Sequence, residues 1–184
     1  FPNGQEVHRS TLLARALAQV NECETALPLL TSVVLAQERY RDAWIVKGYC
    51  EFTSDRLKDA LASLAQAYGL DPSKAETQYF LARTYASLGD PQNAVTYLQY
   101  ALLNRFSPEQ DARQLLAQYA LELGNTELAL EQLKILAEAK NSELRTYEQY
   151  IDLATASTHH ATDALPVAKA ALARWPNDAA TLAL

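Results

Sequence analysis

The chain has 184 residues, 49% of them apolar, with 16 Lys and Arg against 22 Asp and Glu for a net charge of −6. An acidic balance without a basic stripe excludes a nucleic-acid backbone as the main partner, because neutralising phosphates takes an excess of Lys and Arg. No stretch approaches the length of apolar sequence that a membrane-spanning helix needs, and the first ten residues, FPNGQEVHRS, lack the apolar region of a signal peptide.

Taken in chain order, the sequence breaks into helical pairs expected over residues 7–40, 41–74, 75–108, 110–143 and 145–178, with the opening of a sixth pair over 179–184. Self-similarity carries this division. Ala26, Ala60, Ala94, Ala129 and Ala164 recur at a nearly constant interval. Leu30, Leu64, Leu98, Leu133 and Ala168 follow them one helical turn later, and Val33, Ala67, Ala101, Leu136 and Ala171 two turns later. Ala14, Gly48, Ala82 and Ala117 precede the first four at a fixed distance. Such a period marks a stack of like units, each too small to bury its own apolar stripe.

The corners have their own chemistry. In the third pair, Gly89-Asp90-Pro91 separates helices expected near 75–88 and 92–104. Gly89 suits a left-handed C-cap. Asp90 suits an N-cap, and Pro91 a first turn that needs no N–H. Gly124-Asn125-Thr126 is the same corner one unit later. Pro28 and Pro166 read as further early-helix prolines. In the fifth pair, strict spacing would put Asp152 into a helix–helix contact. Placing Leu153-Ala154 in the role of Leu81-Ala82, with a shorter turn after it, avoids that cost.

The pattern resembles the tetratricopeptide repeat family, whose signature W-x2-L-G-x2-Y, A-x3-F, P recurs every ~34 residues. Trp44, Gly48, Ala60, Leu64, Ala67 and Pro72 match it, as do Leu81, Ala82, Tyr85, Gly89, Ala94, Leu98 and Ala101. Lys47 and Glu51 depart where Leu and Tyr are usual, and Phe106 stands where Pro is expected. The resemblance implies an all-α fold, a right-handed α-solenoid of about five helix-turn-helix repeats forming one domain over 1–184.

It also implies a protein–protein interaction scaffold, not an enzyme, that binds a peptide or helix of a partner protein in its concave groove. The alternative is a regulatory or assembly segment of a larger enzyme or secretion complex. Family positions that face inward hold Arg15, Tyr49, Phe52, Tyr79, Arg83, Gln114 and Gln118. Exposed aromatics beside Arg have the composition of binding hot spots, which suits a segment with an apolar side chain next to an acidic one. The alternative for the aromatics is simple packing between repeats. The carboxylate clamp of some family members is missing, its positions holding Thr11, Arg15, Val46, Glu76 and Phe80.

Other chemistry is weak. No nucleophile elbow, P-loop or dinucleotide fingerprint occurs. Asp42, Glu76 and Asp111 recur at one helix position, where the helix dipole favours acids. His159, His160 and Asp163 sit together at a turn, too few and too local for a metal centre. No cofactor or metal is expected. Cys23 and Cys50, well separated along the chain, make neither a zinc pair nor a disulfide framework and read as two small, partly buried side chains. Expected partners are a protein or peptide, with no nucleic acid and no membrane insertion, and the open C-terminal end is expected either to continue into further repeats or to associate with another copy. The lack of Met, even at position 1, reads as a processed or excised piece of a longer chain. No residue assigns a compartment, and the cytoplasm is slightly favoured.

Overall fold

The computed structural model describes residues 4–157, 160–176 and 181. These form ten α-helices, and among the described residues there is no strand. In order they are α1 (Gly4–Gln19), α2 (Cys23–Ala36), α3 (Arg41–Thr53), α4 (Leu57–Leu70), α5 (Ala75–Ser87), α6 (Pro91–Leu103), α7 (Glu109–Glu122), α8 (Thr126–Glu138), α9 (Leu144–Ala156) and α10 (Ala161–Arg174). The chain groups into two compact units, Phe1–Ser107 with three helix pairs and Pro108–Leu184 with two. Within each unit the second helix of a pair packs on its own partner and on the first helix of the next pair.

Both corners take the conformation their residues favour. Gly89 and Gly124 have φ of 80° and 72°. The Asp90 carboxylate accepts the Asn93 N–H at 3.0 Å, and the Asn125 amide oxygen accepts the Leu128 N–H at 3.1 Å. The accepted N–H holds the Asp90 carboxyl below the usual carboxylate range. The two other prolines differ from expectation. Pro28 and Pro166 are each the sixth residue of their helix. They lie past the first turn, so each removes one intrahelical hydrogen bond.

The recurrent alanines form the spine of the core. Ala26, Ala60, Ala94 and Ala129 are fully buried and Ala164 is 4% exposed. Leu30, Leu64, Leu98 and Leu133 are buried beside them. Gly48 shows how close the helices come. A Cβ built there would stand 2.6 Å from Leu64 Cγ and 3.4 Å from the Ala60 carbonyl oxygen.

Lys47 and Glu51, which replace Leu and Tyr, bury a polar network in the same pair. Glu51 is 1% exposed and pairs with Lys47. Ser63 completes the triangle, donating to Glu51 Oε2 at 2.6 Å and accepting from Lys47 Nζ at 3.0 Å. Each charged atom thus meets a partner, the condition under which a buried pair is tolerated.

The fifth pair follows neither register weighed from the sequence. Tyr150, Ile151 and Ala154 are buried while Asp152 is exposed. Helix α9 therefore repeats α7 with Tyr150-Ile151 in the place of Leu116-Ala117. The extra residue enters the turn, which spans 157–160 against 123–125 in the preceding pair, so it is longer and not shorter. His159 and the expected sixth helix opening at 179–184 lie outside the described residues, Thr181 apart.

The cysteines also differ from expectation. Cys23 and Cys50 form a disulfide between the start of α2 and the end of α3, with Cα atoms 5.0 Å apart. The stacking of the first two pairs brings them together, which spacing along the chain does not reveal. Disulfides of this kind persist in oxidising compartments.

Two stability outcomes follow from this packing. Gly48→Ala gains helix propensity but overpacks against Leu64, and denaturant unfolding should show a net loss of about 1–2 kcal/mol. Reduction, or the Cys23→Ser/Cys50→Ser pair, should cost about 3 kcal/mol by the same measurement, from the entropy regained by the unfolded loop.

Candidate functional site

In the first unit, α1, α3 and α5 carry the inward positions. Arg15 leaves α1 and donates to Glu76 of α5 at 2.9 Å, both side chains about one third exposed. The pair spans the α3 side chains, and with Ile45, Tyr49 and Phe80 it lines a small recess of about 190 Å³. The Tyr49 ring is half-buried, 5.2 Å from that of Phe80.

Deeper along the same face the aromatics are engaged. Tyr79 is only 8% exposed and stacks on Phe106, ring centroids 4.0 Å apart and planes within 13°. Phe106, which replaces the family proline, thus packs against the ring expected in the groove. The Arg83 guanidinium covers the Phe52 ring at 4.7 Å and reaches Tyr79 at 5.8 Å. Tyr49, Phe52, Tyr79, Arg15 and Arg83 are gathered on one face, but internal contacts occupy most of their surface.

The second unit is more open. Gln114 and Gln118 of α7 face α9 across a cleft of about 780 Å³. Its walls carry Ala117, Leu121, Leu133, Leu153 and Ala156, and its polar groups are Gln114, Gln118, Glu122, Arg145, Gln149 and Asp152. Gln118 donates to Glu122 at 3.2 Å. Next to it, Asp111, Asn141, Glu143 and Arg145 surround a smaller recess of about 200 Å³. Apolar walls with a few convergent polar groups suit the capture of a ligand's side chains. Among the described residues no group of three or more His, Cys, Asp or Glu could hold a metal. His160 contacts Asp163 at 3.4 Å on the surface.

Arg145 and Asp152 are the charged lining residues of this cleft that sequence reasoning missed. In the register that α9 adopts, they fall where α7 has Asp111 and Gln118, both inward positions. The sign was Asp152 itself, whose charge fits a groove better than a helix contact.

Helix pairs, small-residue spine and Gly corners coincide with a family model described as Tetratricopeptide repeat, which matches residues 11–75 and 79–143. The chain belongs to the tetratricopeptide repeat family. Among curated proteins none matches it in sequence. Solved tetratricopeptide structures share the fold. YrrB, described as a TPR protein with an unusual peptide-binding site, is 20% identical with a TM-score of 0.75, covering 98% of this chain and 92% of its own. MamA is 19% identical with a TM-score of 0.75, at 92% of each chain. A thermophilic TPR protein from Thermus thermophilus is 23% identical with a TM-score of 0.62, at 82% of each. Together they show an all-α solenoid fold.

The Arg15–Glu76 pair is accessible to solvent and should count for little. A double-mutant cycle of Arg15→Ala and Glu76→Ala should give a coupling of about 0.5–1 kcal/mol at low salt, shrinking towards zero near ~1 M.

Proposed function

We propose that this tetratricopeptide chain is a non-catalytic binding module that grips a segment of a partner protein along its inward helices. The α7–α9 cleft carries this reading, since it joins an open apolar wall to Gln114, Gln118 and Gln149. Glutamine amides offer both donors and acceptors to a peptide backbone. Leu121, 43% exposed, supplies an apolar contact already at the surface. The recess beside Tyr49 and Phe80 adds room for one further apolar side chain in the first unit. A single short segment buries little area and loses its own freedom, so affinity is expected near micromolar.

A photo-crosslinking residue in place of Gln118 tests this in cells of the native organism. It should trap a partner protein, whereas the same residue in place of the exposed Lys134 on α8 should not. Gln114→Ala with Gln118→Ala should weaken binding of the trapped partner by about 1–2 kcal/mol without loss of helicity. Equal trapping at Gln118 and Lys134 counts against the cleft.

A further inference from the structure

We infer that the α7–α9 cleft takes a cationic amphipathic segment of a partner protein, its apolar side chains against Leu121 and Leu153 and its Lys or Arg at the Glu122–Asp152 end. This rests on the reading of the cleft as a protein-binding site and adds the chemistry of what enters it.

The first observation is where the charge lies. Residues 108–184 hold 11 of the 22 Asp and Glu but only 6 of the 16 Lys and Arg, so five of the six excess negative charges belong to the second unit. The first unit, with its Arg15 and Arg83 on the inward face, is close to neutral.

The second is how the acids are partnered. On the second unit's surface Glu109 pairs with Arg113 and Asp163 contacts His160, while other acids there, Glu127 and Glu131 among them, form no ion pair among the described residues. What sets Glu122 and Asp152 apart is that they stand beside the apolar wall of the cleft. In the cleft, Glu122 accepts only from the neutral amide of Gln118 at 3.2 Å. Among the described residues neither Glu122 nor Asp152 has a cationic partner. Arg145, the cleft's own cation, sits in the first turn of α9, where Asp111 and Glu143 share its recess. It is placed to balance those acids and not the opposite end.

The third is helix direction. Short connections between packed helices make α7 and α8 antiparallel, and α8 and α9 likewise, so α7 and α9 point the same way. Their C-terminal ends therefore lie together. Glu122 is the last residue of α7, and Asp152 lies in the last two turns of α9. The dipoles of the two helices put partial negative charge at these C-terminal ends, beside the two carboxylates. An apolar wall that ends in such a field discriminates against acidic segments and attracts basic ones.

The test uses the whole chain and two synthetic amphipathic peptides of about four helical turns. Both carry Leu at helical spacing, one with Lys and the other with Glu on its polar face. Fluorescence anisotropy should show binding of the Lys peptide alone, weakening as salt is raised. Glu122→Gln with Asp152→Asn should weaken it roughly tenfold. Glu127→Gln with Glu131→Gln makes the same charge change on the exposed side of α8 and should leave affinity within about twofold. Equal loss from the two pairs, equal binding of the Glu peptide, or no binding of the Lys peptide overturns the inference. The Gln118 crosslink separates this from failure of the function itself. A partner trapped there through an acidic segment leaves the cleft a binding site and refutes its preference for cations.

Discussion

Helix pairs in this chain can approach only because small residues stand where their axes come nearest. Gly48 against Leu64 and the Ala60 carbonyl is one instance, and Ala14, Ala82 and Ala117 hold the same place in three other pairs. Interiors are packed to crystal-like density, so one extra carbon at such a point shifts a whole helix. The position of each first helix relative to its second sets which side chains the next pair meets. That in turn decides which residues are left facing inward. The inward surface is thus a remainder, composed of what the packing does not use.

The fold was legible because its determinants are local or periodic. Gly89, Asp90 and Pro91 specify their corner with no reference to distant residues, and the alanine spacing reports a stripe that must be buried. The site was legible only in part. Gln114 and Gln118 follow from the repeat phase, whereas Arg145 and Asp152 were hidden by one added turn residue before α10. The fate of Tyr79 depended on Phe106, beyond the whole of α6, and that of Phe52 on Arg83 from the next pair. Pairings of this sort are set by how helices dock, and a single chain read linearly carries no trace of them. The same holds for Cys23 and Cys50.

Electrostatics is used differently in the two units. In the first, charges are largely turned inward on themselves. Glu51 is satisfied by Lys47 and Ser63, Arg15 by Glu76, and Arg41 by Asp42 and Asp71. Hydrogen bonds from Ser73, with help from Arg41, hold the Asp71 carboxyl below its usual range. In the second, Glu122 and Asp152 beside the cleft form no ion pair among the described residues, and they stand near helix C-terminal ends whose dipoles add to their charge.

A stack in which each pair touches only its neighbours normally opens from its ends, because a terminal pair has one interface to lose where an inner pair has two. The Cys23–Cys50 bond crosses the first of those interfaces. With it in place, α2 cannot drift from α3 even when the contacts between them are momentarily lost, and reclosure is intramolecular and immediate. Fraying at this edge is therefore suppressed without any added buried area. A covalent bond at one edge thus makes the first interface of a nearly periodic structure unlike those that follow it.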